Sequence, residues 1–110
     1  MRTLVADVLD SPARVRAGDR PPLVVGLVQT RWHADPAEHA AVLADGIASA
    51  AAAGAEVVFL PELTLSRYPA DTLPTGRPAD LAEDLATGPT AALAATAARE
   101  HGIWVHASLY

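Results

Sequence analysis

The chain has 110 residues, 51% of them hydrophobic but only 5% aromatic, and a formal net charge of −5. That length fits one small domain, and the acidic balance argues against nucleic acid or an anionic membrane surface as a main partner. There is no cysteine and all eight basic residues are arginine, so this sequence holds no disulfide, thiolate zinc site, thiol nucleophile or lysine ammonium.

No apolar run approaches the roughly 18 residues that a transmembrane helix needs. Asp7 and Asp10 bracket the short Leu4-Val5-Ala6 patch, so no secretory signal is evident and a cytoplasmic location is expected.

Residues 1–22 carry four Arg, three Asp and Pro12, Pro21 and Pro22. They read as a mobile N-terminal tail with at most a helical turn over residues 3–9. Residues 23–29 are apolar and rich in β-branched side chains between Pro22 and Thr30-Arg31, which predicts a strand. Gly26 inside it either weakens the strand or admits a close neighbour. No G-x-G-x-x-G follows, which removes a dinucleotide-binding reading.

Asp35-Pro36-Ala37-Glu38 predicts a helix start: Asp35 as cap, Pro36 at the first helical position and Glu38 at the capping-box spacing. The helix would bury a stripe of Ala40, Leu43, Ala44, Ile47 and Ala51, with Glu38, Asp45 and Ser49 opposite. Gly54 supplies a left-handed stop.

Residues 57–60, Val-Val-Phe-Leu, form a short apolar run suited to a parallel strand covered on both faces. Pro61 donates no N–H and ends the ladder. Glu62 therefore stands just past the carboxyl end of a strand, where open α/β sheets keep their working residues. Its apolar neighbours Phe59, Leu60, Leu63 and Leu65 would help to desolvate its carboxylate. On position alone Glu62 reads either as a proton-transfer group or as a solvated loop residue.

Residues 65–86 contain Pro69, Pro74, Pro78 and Gly76 and have no clean period, so they read as a long loop, either a covering flap or a solvated connection. Gly88-Pro89-Thr90 opens a second helix closed by Gly102, with Leu93 its one large apolar residue. Residues 103–109 read as a third strand. Strand–helix–strand–helix–strand is two crossover units, hence an α/β fold with a largely parallel sheet.

The four histidines, His33, His39, His101 and His106, show no i,i+4 pairing and no carboxylate in a ligand pattern. They read as surface or helix-end residues rather than metal ligands. Ser66 and Ser108 lack the G-x-S-x-G elbow, and Trp32 and Trp104 lack a basic patch that would make them a stacking platform.

The ordered set Val57-Val58-Phe59-Leu60-Pro61-Glu62-Leu63 with Tyr68-Pro69 resembles the first catalytic block of the nitrilase, or carbon–nitrogen hydrolase, superfamily. Val24-Val25-Gly26-Leu27-Val28-Gln29 is similar to that family's opening strand, and Gly88-Pro89-Thr90 and Gly102-Ile103-Trp104-Val105 are similar to its later elements. The resemblance implies that residues 23–110 are the N-terminal part of such a domain, the start of an α-β-β-α sandwich left incomplete in this chain.

It also implies hydrolysis of a non-peptide carbon–nitrogen bond in a linear amide, an N-carbamoyl amine or a nitrile, through a Glu-Lys-Cys triad of which this chain supplies only Glu62. Tyr68 would line the substrate pocket. No cofactor or metal is implied, the partner is the small-molecule substrate, and a homo-oligomer is expected if the complete domain exists. Arg67 departs from the family pattern, where glycine is common, and puts the local turn in question. The alternatives are a truncated, non-catalytic copy serving as an interaction partner, and an unrelated small α/β binding domain.

Overall fold

A computed structural model describes residues 1–7, 12, 13, 21–73 and 75–110. Three short parallel strands, β1 (Val25–Leu27), β2 (Val57–Phe59) and β3 (Trp104–His106), lie in the order β1-β2-β3. Val25, Gly26 and Leu27 pair with Val57, Val58 and Phe59, which pair in turn with Trp104, Val105 and His106. Flanking bonds lengthen the ladder: Val28 N–H donates to Phe59 C=O (2.9 Å) and Leu60 N–H to His106 C=O (3.0 Å). The regular strands are shorter than their apolar runs, and at β2 the ladder stops at Pro61, which has no N–H to donate.

Helix α1 (Pro36–Ala52) joins β1 to β2, and α2 (Pro89–His101) joins β2 to β3. The expected start of α1 is present: Asp35 accepts from the Ala37 and Glu38 N–H groups at 2.8 and 2.9 Å. The reciprocal half of a capping box is not made, since Glu38 Oε1 accepts from His33 Nδ1 at 3.0 Å instead. Past its end, Gly54 takes a positive φ of 92°. Helix α2 closes at Gly102, also left-handed (φ 65°).

The buried stripe of α1 is His39, Leu43, Gly46 and Ile47. This corrects the expected phase: Ala44 is exposed, and Gly46 and His39 take the inner positions. Close approach to β1 goes with the shift: a Cβ at Gly46 would stand 2.7 Å from Val28 Cγ1, and Gly26 is as tightly met. A Cβ there would stand 2.8 Å from the Ala50 Cβ and 3.1 Å from Val58 Cγ2. The helix touches the strand backbone through its smallest residues, and counting methyl groups does not find that face.

Right-handed crossovers between strands in the order 1-2-3 put both helices on one side of the sheet. The core lies there: Val28, Leu43, Ile47, Ala55, Val58, Leu60 and Ala97, with Leu93, Ile103 and Val105 packed against it. The opposite side is open, with Leu27 and Trp104 nearly 80% exposed (78% and 79%) and Val25 and Phe59 partly so. The expectation that residues 57–60 would be covered on both faces is therefore corrected to one face.

Between β2 and α2 the long loop carries two single turns of 3-10 helix, Pro69–Asp71 and Pro78–Leu81. Residues 3–7 have no helical turn, and much of the expected mobile tail of residues 1–22 lies outside the described residues. Met1 and Leu4 border a cleft with Val24, Leu27, Gly46 and Ala50. No described helix is long and apolar enough to cross a membrane.

Candidate active site

Glu62 follows β2, the central strand, at the start of a tight turn over residues 62–65. The turn needs an unusual backbone: Leu63 has φ 54°, the one positive φ outside glycine among the described residues. Such a conformation costs a residue with a Cβ roughly 1–2 kcal/mol, so something must hold it.

Thr64 supplies the hold, and it is 2% exposed. Its hydroxyl donates to Pro61 C=O (3.1 Å) and accepts from Ser108 N–H (3.1 Å). Its own C=O accepts from His39 Nε2 at 2.9 Å. One residue thus ties the Glu62 turn to itself, to the chain beyond β3 and to α1. Within the turn, Ser66 N–H donates to Leu63 C=O at 2.6 Å.

His39 is buried at 4% exposure, which corrects its reading as a surface or helix-end residue. Its Nδ1 has no hydrogen-bond partner among the described residues. A buried unpaired nitrogen costs about 1–3 kcal/mol that an apolar side chain would avoid. His33 stacks on the ring (centroids 5.8 Å, planes 28° apart) and Trp32 lies 6.5 Å away. The guanidinium of Arg67 stands over Trp32 at 5.5 Å and within 3.9 Å of the Asp71 carboxylate. Arg67 needs no left-handed backbone, so the turn accommodates it where glycine is common in the resembled family.

Glu62 is exposed, not enclosed by its apolar neighbours, and its carboxylate has no hydrogen bond or ion pair among the described residues. Tyr68, 49% exposed, opens the first 3-10 turn through its C=O, which accepts from Asp71 N–H at 3.1 Å. No described contact joins the Tyr68 ring to Glu62. A shallow cleft bordered by Pro69, Thr72, Leu73, Arg77, Leu81 and Tyr110 lies along the same loop, and neither Glu62 nor Tyr68 lines it. Glu56, at the other end of β2, is occupied: its Oε1 accepts from Val24 N–H at 3.2 Å.

Among the described residues no three His, Asp or Glu side chains converge as a metal site. The site so far is one free carboxylate on a pinned turn. Chemically it can accept a proton from a group brought to it. The sequence reading missed Thr64 and His39, since a lone hydroxyl between two leucines and a lone histidine in a helix carry no spacing signal.

A family model for carbon–nitrogen hydrolase matches residues 24–110. No curated protein and no solved structure matches the chain.

Proposed function

The chain belongs to the carbon–nitrogen hydrolase family, the nitrilase superfamily, and from that premise we propose that Glu62 is the general base for hydrolysis of a non-peptide carbon–nitrogen bond. The observation that carries the reading is a free carboxylate on an over-determined turn at the carboxyl end of the central strand. Preorganisation of this kind is what a base acting on a positioned nucleophile requires.

In the proposed reaction Glu62 takes the proton of a cysteine thiol as the sulfur attacks the substrate carbon. A lysine ammonium stabilises the charge developing on the substrate heteroatom. A linear amide or N-carbamoyl amine then loses ammonia or an amine, which takes the proton back from Glu62, and leaves a thioester (a thiocarbamate from the carbamoyl group). With a nitrile, water first adds to the thioimidate, which then loses ammonia to give the same thioester. Glu62 activates the water that cleaves the thioester, returning the thiol. The cysteine and lysine come from polypeptide outside these 110 residues, since none is present within them. Residues 23–110 are proposed as the N-terminal part of an α-β-β-α sandwich, residues 1–22 as a tail outside it, and Tyr68 as a pocket residue.

The absence of both remaining triad residue types favours one second reading, a truncated, non-catalytic copy that binds a partner. Two measurements decide. The 110-residue chain alone should release no ammonia from linear amides, N-carbamoyl amines or nitriles, and should form no adduct with thiol-directed electrophiles. In the protein that joins this chain to a cysteine and a lysine, Glu62→Gln keeps the shape and loses the base, and kcat should fall by about 10²–10⁴. Near-full kcat in that variant would remove the assignment, and turnover by the chain alone would contradict the triad.

A further inference from the structure

We propose that His39 is a positioning residue for the Glu62 turn, acting as the Nε2–H tautomer through the Thr64 carbonyl. Its catalytic meaning rests on the reading of Glu62 as the base; the tether itself does not. The partner of Nε2 is a carbonyl oxygen 2.9 Å away, which only accepts, so the proton sits on Nε2. Nδ1 is left buried and unpaired. A leucine or phenylalanine would fill the same space without that penalty, and the one interaction they could not supply is the donor to Thr64.

That carbonyl follows directly on Leu63, the residue held at φ 54°. The other two Thr64 bonds run through its hydroxyl, to Pro61 and Ser108, and fix the side chain. The peptide at the exit of the strained residue, Leu63–Thr64, is held by Ser66 N–H on the Leu63 C=O (2.6 Å), and the His39 bond fixes the next peptide plane, Thr64–Leu65, so the two planes after Leu63 are pinned in series. With the His39 bond absent, the Thr64–Leu65 peptide can turn its oxygen toward solvent and Leu63 can relax to a negative φ. Such a relaxation re-aims Glu62, its neighbour.

The test uses isotopically labelled chain. The ring nitrogens of His39 should show a protonated Nε2 and a bare Nδ1, and Leu63 should give the strong intraresidue amide–Hα cross-peak of a positive φ. His39→Phe keeps the ring against His33 and removes the donor. It should weaken that cross-peak and speed exchange of the Ser66 amide by roughly tenfold or more, with the Val58 amide unchanged. His39→Gln places an amide donor at similar reach and should restore both. A proton on Nδ1 in the native chain overturns the proposal, and this reading holds even if the phenylalanine variant does not fold. So does a phenylalanine variant with an intact turn, or one whose protection falls equally at Val58 and is not rescued by glutamine.

In the complete enzyme, His39→Phe should lower kcat about tenfold at unchanged KM, with recovery in His39→Gln. Unchanged kcat there, where Glu62→Gln is inactive, overturns the positioning role. Full activity in Glu62→Gln would instead overturn the reading of Glu62 and leave the tether standing.

Discussion

Glu56 and Glu62 stand at the two ends of one strand, and the structure gives them opposite duties. Glu56 satisfies the Val24 N–H and passes the ladder on to Trp104 through its own carbonyl. Glu62 satisfies nothing internal. Its replacement by glutamine should leave folding stability within about 0.5 kcal/mol, as for other exposed sites; a larger drop in a thermal or denaturant melt would mean a structural carboxylate. Thr64→Val should be costly by comparison. It keeps the volume but strips an acceptor from Ser108 N–H and a donor from Pro61 C=O, so a loss of about 1–3 kcal/mol is expected by urea melt. Equal stability would show that those groups find other partners. The place of Glu62 past the end of β2 was legible because Pro61 lacks the N–H that a ladder needs. The role of Thr64 was not, because two of its three partners, His39 and Ser108, are 25 and 44 residues away and only the folded chain brings them to it.

At the scale of elements, α1 was legible at its start and in Leu43 and Ile47, both fully buried as expected, while Ala44 turns outward and His39 and Gly46 take inner positions. Asp35 caps by local geometry, which sequence carries, whereas the inner face is chosen by how closely helix and strand approach. Gly26→Ala tests that choice: its new methyl would meet the Ala50 Cβ at 2.8 Å and the Ala55 Cβ at 3.2 Å, methyl groups that can yield only if their backbone moves. A loss of about 1–3 kcal/mol is expected from overpacking, and an unchanged melt would show a looser contact. The start of α2 is built differently. Gly88 has no side chain to cap with, and Glu83, from the preceding loop, accepts from both Thr90 N–H (2.9 Å) and Thr90 Oγ1 (2.8 Å). Glu83→Ala should cost about 0.5–2 kcal/mol, the usual worth of an N-cap, read as a lower melting temperature.

Next to it, Asp84 folds the approach to α2, and the Thr87 hydroxyl, then the Thr87 and Ala86 N–H groups, hold its carboxyl below the ordinary value of 3.8. A depressed carboxylate contributes fully above the unfolded value of 3.8 and loses its contribution as pH falls through the lower folded value. Protection of the Thr87 amide should therefore fade only in that acid window, and Asp84→Asn should abolish the dependence. A turn equally protected at every pH would contradict it.

The whole molecule is a sheet with one face finished and one bare. Sequence made the crossover pattern plain, and the handedness of crossovers then obliges both helices to share a side. What strand sequences alone did not tell is that residues 57–60 are half-covered, because an apolar run looks the same whether its second face meets this chain or another surface. Leu27 and Trp104 stand on that bare face at 78% and 79% exposure, and burying such side chains is worth about 1.5–3 kcal/mol each. Association through this face, with a further part of the domain or with a second copy, is the expected consequence. The sedimentation coefficient of the chain should rise with concentration. Leu27→Thr with Trp104→Thr should bring it back to that of a monomer, with the melting temperature held, since neither side chain contributes to the core on the helix side. A double variant that melts much lower would mean that these residues are structural within one copy. A native chain that stays monomeric at every concentration would mean that the bare face is tolerated as it stands.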